Sequence, residues 1–459
     1  MKKIIIITLC LIAVGIGEAC AQGKVWEVTG VTTDTSIVRN WNGGKYVVYN
    51  RQSSARGTFT YHDNASGTVM TDTLPAGMVI NDFRIMNDTI FAGGYMEGTY
   101  NQGVLVCMNI HSLISGSGNS HWFILPPRSL SFSNCNIAIY SNLITSIKRI
   151  ALFHDGRSVR VAFVAENQIV ESASMATVYY RTGYGDAAFL TGIWTMGPYH
   201  YNKDGVELYT DIAVTEDKIV IPARTNDSAR FKFQVFEKVA NFATPPPSNW
   251  SDRFGFTDHE VTGRVMTTGL TDNHAAMAYH YKGATTEGWA VKVFDMGAYP
   301  PVLMHSVEIP ESPGAPAEWE MNDIRYNPLD KELMILCGMK IPSNGTTQEY
   351  ILRLPIAGIA SGTLPVNYLP LMEKMKSLDN FGNGGFIVSG GYGASILAIH
   401  NEQFNTPGHC GAEYYTNSIM TKPKMNLNNR HHCTVIHYNN TSSLPFISYE
   451  LPIDSICND

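Results

Sequence analysis

Three aspartates occupy matching places in three similar stretches of the sequence: Asp82 in NDFRIMNDTIFAGGY (81–95), Asp211 in TDIAVTEDKIVIPART (210–225) and Asp323 in NDIRYNPLDKELMILCG (322–338). If the stretches are copies of one unit, their carboxylates gather at one place. With Glu260 of DHE (258–260) and with Glu318-Trp319-Glu320, they could then bind a cation or a sugar, Trp319 offering a stacking face. Repetition also suits a plainer role. Each Asp would accept backbone N–H bonds at the turn that starts a strand, a task needed in every copy, whereas a catalytic task is needed in one. A glycoside hydrolase needs two carboxyls about 5–10 Å apart across a cleft. The sequence offers repeated Asp and no unique acid pair.

Other chemistries are weaker. His409-Cys410 and His431-His432-Cys433 have zinc-ligand residue types, but adjacent residues of a strand point to opposite faces, so His431 and His432 do not serve one ion easily. No metal site is expected on these grounds. No G-x-S-x-G nucleophile elbow is present. The glycine-rich GNGGFIVSGGYG (382–393) is a strand between turn glycines, not a phosphate loop leading into a helix. No cofactor is expected, although a structural cation at the acids would be compatible with their chemistry.

The elements around the aspartates repeat. Each copy has an acidic or polar strand, a turn, a second apolar strand and a third: VINDFRI, TIFAGG and GVLVCMNI in one, TDIAV, KIVIPA and RFKFQVF in another. Seven copies begin near residues 35, 81, 147, 209, 261, 320 and 375, about 46 to 66 residues apart. Most intervals hold a fourth apolar run, such as HWFILP (121–126) and VLMHSVEI (302–309). Helical periodicity over ten or more residues is lacking. A short four-stranded sheet cannot bury both faces alone, but sheets stacked about an axis bury each other.

The spacing and strand pattern resemble the β-propeller superfamily, and FAGGY (91–95) and VSGGY (388–392) resemble the paired-glycine strand endings of kelch repeats. The resemblance implies an all-β propeller, most simply of seven blades with four antiparallel strands each, six or eight being the neighbouring counts. It also implies that strands from the chain ends fasten the ring; KVWEVTGV (24–31), CTVIHY (433–438) and PFISYEL (445–451) are the candidates. Glycines and Ala223 at the ends of second strands (Gly93-Gly94, Gly338, Gly390-Gly391) fit places where backbones crowd.

The chain has 459 residues, 44% hydrophobic and 16% charged, with net charge −7. That composition supports a sizeable core and argues against nucleic-acid binding, which needs a basic face. Residues 1–21 resemble a signal peptide: basic MKK, an apolar run, and Ala19-Cys20-Ala21 as the cleavage signal. Residues 22–459 would then form one exported domain, periplasmic, surface-held or secreted. A lipid anchor on Cys20 is the alternative, disfavoured by Gly17 where an apolar residue is expected. No further stretch is long and apolar enough to span a bilayer. Export makes disulfides admissible, and Cys107–Cys135 and Cys410–Cys433 would each close a local loop.

Two functional classes follow. One is a binding module for a protein or a glycan, using loops on one propeller face. The other is a polysaccharide lyase or glycoside hydrolase that uses acids at the channel mouth. The missing acid pair favours binding; oligomeric state is not encoded legibly.

Overall fold

Runs of β-branched and aromatic residues bounded by turns make strands almost throughout, and the computed structural model is all-β, its small antiparallel sheets arranged as propeller blades. The described residues are 24–27, most of 35–399 apart from interstrand loops (the longest 239–250), 413–416 and 448–450.

All seven sequence copies are blades. Their innermost strands are Thr35–Asn42, Met78–Met86, Ile144–His154, Ala213–Val214, the second part of Ser251–Gly269, Glu318–Asn327 and Met375–Asn380. We number the blades 1 to 7 in this order. Each innermost strand packs on the next, and that of blade 7 packs on that of blade 1. Blades 4 and 5 share one strand, Ser251–Gly269. Its start pairs with Arg230–Glu237 as the outer strand of blade 4, and its end pairs with His274–Lys282 as the inner strand of blade 5.

The cores lie between blades, because alternate residues of each strand face opposite neighbours. In blade 2, Ile90, Ala92 and Val104 pack against Tyr49 and Phe59 of blade 1. Phe91, Leu105 and Cys107 turn the other way, onto Ile147, Val161 and Phe163 of blade 3. Similar apolar layers join blades 4 and 5, 5 and 6, 6 and 7, and 7 and 1. A fully buried Phe such as Phe83, Phe91 or Phe163 contributes about 1.5–3 kcal/mol over an exposed one, so these layers supply most of the adhesion.

Of the chain-end candidates, Lys24–Glu27 takes the outermost place of blade 7, antiparallel to Ser395–Ile399. The strand Ser448–Glu450, within PFISYEL, pairs instead with Ser120–Ile124 as a fifth strand on blade 2. The edge of blade 7 is already covered by the N-terminal strand, so the C-terminal strand goes to another open edge. Glu413–Thr416 likewise adds a fifth strand to blade 6. CTVIHY lies outside the described residues.

Cys107 corrects a sequence expectation. It is a buried free thiol rather than the partner of Cys135, because its side chain is enclosed in the apolar layer between blades 2 and 3. Cys135, Cys410 and Cys433 lie outside the described residues. Two six-residue helices, Ile110–Ser115 and Ile356–Ser361, follow the third strands of blades 2 and 6. Among the described residues, no helix is long and apolar enough to cross a membrane.

Candidate functional site: a charged hub on the axis

The innermost strands are not regular. Their pairing with the second strand slips by one residue between Ile80 and Asp82, Ile147 and Arg149, Met321 and Asp323, and Met375 and Ser377. Asn81, Lys148, Asn322 and Lys376 are the extra residues. Such bulges bend a strand and re-aim the side chains that follow. Here they direct Asp82, Arg149, Asp323 and Ser377 toward the axis and the next blade.

The three aspartates make the same contact with the blade that follows. Asp82 Oδ2 accepts from the Ile150 N–H of blade 3 at 3.1 Å, Asp211 Oδ2 from Thr267 N–H of blade 5 at 2.8 Å, and Asp323 Oδ2 from Leu378 N–H of blade 7 at 3.1 Å. Blade 7 repeats the device on blade 1. Ser377 Oγ accepts from Val38 N–H at 3.2 Å, and Asp379 Oδ2 accepts from Asn40 N–H at 2.8 Å. Asn81 clasps blade 3 from the bulge itself, donating to Ser146 Oγ and the Ile147 carbonyl at 2.8 Å each. The backbone-acceptor role read from the sequence is therefore present, but the N–H belongs chiefly to the following blade. Asp323 alone also accepts from its own neighbour, Ile324, at 3.0 Å.

Sequence reasoning passed over the partners of these acids, four arginines. Arg39 of blade 1 pairs with Asp82 at 2.7 Å and lies 3.5 Å from Asp323, two blades away in the other direction. Its remaining N–H groups go to the carbonyls of Phe83 and Val38 and to Ser377 Oγ. Arg325 pairs with Asp323 at 2.8 Å and with Asp379 at 3.3 Å. Arg149 reaches across from blade 3 to the Asn322 carbonyl of blade 6 at 3.2 Å. Arg84 has one weaker contact, Nη2 to Asp82 Oδ2 at 3.4 Å. The repeated string Asn-Asp-x-Arg at 81–84 and 322–325 was the available signal.

Matching the clasps from blade to blade gives two tiers of side chains. The first holds Ile37, Asp82, Arg149, Asp211, Met266, Asp323 and Ser377; two residues on, on the same strand face, the second holds Arg39, Arg84, Ala151, Ala213, Thr268, Arg325 and Asp379. Acids thus outnumber bases three to one in the first tier, and bases outnumber acids three to one in the second.

Burial alone would raise the Asp82 and Asp323 carboxyls, but the combined field of Arg84, Arg39, Arg149 and Arg325 holds both below the usual carboxylate range. Asp211 goes the other way: burial dominates the opposing Arg149 and the Thr267 N–H, and Asp323 adds repulsion, so its carboxyl is raised. Arg84 is pushed down to about 9 by burial and by Arg325 and Arg39.

These shifts predict an acid limb. Asp82 and Asp323, depressed in the fold, add stability that is present above their unfolded pKa of about 4 and lost as pH falls through their folded values. Asp211 has the opposite sign, its cost easing as pH falls. Urea midpoints measured from pH 7 downward should fall below about pH 4, and Asp82→Asn should flatten that fall. An unchanged acid limb in the variant would contradict the assignment.

Glu260 lies on Ser251–Gly269 opposite Lys282, and Glu318 and Trp319 start the blade 6 inner strand opposite Lys340 and Met339. Their side chains lie outside the described residues, so the structure gathers Asp82, Asp211 and Asp323 in the hub and places the other three by backbone alone.

No family model matches the chain, and no curated protein is similar to it. Among solved structures, it is similar to a Bacteroides fragilis protein provisionally assigned as a 6-phosphogluconolactonase. The two share 11% identity with a TM-score of 0.41, over 78% of this chain and 89% of that one.

Proposed function

We propose that the protein is an exported propeller acting as a binding module for a protein or glycan, with the hub holding the blades together rather than turning over substrate. One observation carries this reading: Asp82, Asp211 and Asp323 each use a carboxylate oxygen on a backbone N–H of the next blade. An acid that clasps two blades is poorly placed to shuttle protons, because each protonation change would loosen the joint. Ligand contact is assigned to one face of the propeller, with Glu260, Glu318 and Trp319 as the candidate contacts and Trp319 as the stacking platform. Export rests on residues 1–21.

The test uses residues 22–459 on a glycan array and with the same glycans in solution. Saturable binding without turnover is the expected result. Release of reducing ends or of unsaturated sugars would overturn the reading in favour of a hydrolase or a lyase. Absence of any glycan binding directs the search to protein ligands by cross-linking on the exporting cell's surface.

A further inference from the structure

The arginines of the hub are not equally satisfied. Arg39 and Arg325 spend their N–H groups on the carboxylates and carbonyls described above, whereas Nη1 of Arg84 is buried with no hydrogen-bond partner. An unmet guanidinium N–H away from bulk water is costly, and the cost rises when other cations are near. Those cations are Arg325 and Arg39, whose repulsion, together with burial, already lowers the proton affinity of Arg84.

The tier that holds Arg84 is lopsided. The three blades that follow blade 2 contribute the short, uncharged side chains of Ala151, Ala213 and Thr268 to it, while blades 6, 7 and 1 contribute Arg325, Asp379 and Arg39. Arg84 stands at the border of the short-chain half. Its side chain remains 21% exposed, so the place communicates with solvent. The nearest carboxylate, Asp82, is engaged by Arg39 and by Ile150 N–H and offers Arg84 only a 3.4 Å contact.

We propose that the short-chain half of this tier is a binding site for a small oxyanion, a phosphate or carboxylate group, which accepts from Arg84 while Arg325 and Arg39 supply the attracting field. Guanidinium N–H groups match the oxygens of either group in fork geometry. The site does not depend on whether the propeller face binds a glycan or a protein, since it lies on the axis. A free ion and an acidic group carried by a larger ligand share the same chemistry.

Calorimetric titration of the full chain with inorganic phosphate and with acetate, in chloride buffer at matched ionic strength, tests this. Saturable one-site binding of at least one of them is expected, weakened roughly 10- to 100-fold in Arg84→Gln, the worth of a charge-assisted hydrogen bond. Ala213→Leu adds bulk to the short-chain half without touching a charge and should weaken binding at least as much. Arg84→Lys keeps the cation and should retain part of it, which covers the case in which Arg84→Gln fails to fold. Binding of phosphate but not of acetate marks a phosphate site, and the reverse marks a carboxylate site; either supports the proposal. If neither ion binds the wild-type chain, or if Arg84→Gln or Ala213→Leu binds as the wild type does, the proposal fails and water meets the Arg84 N–H.

Discussion

Asp82→Ala should lower the unfolding free energy by about 3–5 kcal/mol, the cost of breaking a buried ion pair by removing one partner. Asp82 is fully buried and serves three groups at once: Arg39 at 2.7 Å, Ile150 N–H at 3.1 Å and Arg84 at 3.4 Å. The alanine leaves a buried amide without an acceptor and a buried guanidinium without its closest counter-charge. Asp323, 3.5 Å from Arg39, relieves part of that, which places the expectation at the lower end of the range. Arg39→Ala should cost a similar amount. Because the two residues share one network, the double variant should cost less than the sum of the singles by about 1–3 kcal/mol. Urea unfolding of the four proteins measures all of this. Additive losses would mean that the pair is not coupled.

Gly94→Ala should be at least as damaging, about 3 kcal/mol or more, with loss of soluble protein as the limit. A Cβ there would sit 1.8 Å from the Val79 carbonyl oxygen and 2.9 Å from Ile80 Cα. These are backbone atoms of the inner strand just before its bulge, so no rotamer change relieves the clash; the first two strands of blade 2 must separate. Gly44→Ala is the control. Gly44 has φ +95° with nothing within 4 Å of the added carbon. It should cost only the strain of a positive φ, about 1–2 kcal/mol. Thermal midpoints of the two variants compare them directly, and equal shifts would contradict the crowding argument.

The paired glycines are legible in the sequence, since FAGGY ends a strand on two residues with no side chains. Their cause is now specific. Gly94 lets the bulged inner strand cross closely, and Gly93 makes room for Ile147 of blade 3. The seven copies were legible as well, because period-2 burial with turn residues is written into each. The hub was legible only in part. Asp82, Asp211 and Asp323 announce themselves by position, but the bulges that aim Asp82 and Asp323 depend on pairing with a second strand, which alternation alone does not encode. Arg39 and Arg149 were hidden for the same reason: neither follows an aspartate in its own copy, and their partners come from other blades. The destination of the strand Ser448–Glu450 was illegible in principle. Several blade edges would accept it, and the choice is made by which edges other segments have already covered.

Residue-resolved hydrogen exchange of the Ile150, Thr267 and Leu378 amides reads the blade-to-blade clasps themselves. In the wild-type chain these three should exchange together, at the slow rate of global unfolding, and Asp82→Ala should release Ile150 while Thr267 keeps its protection. Fast exchange of all three in the wild-type chain, at rates typical of solvent-facing loops, would mean that the carboxylates do not hold neighbouring blades.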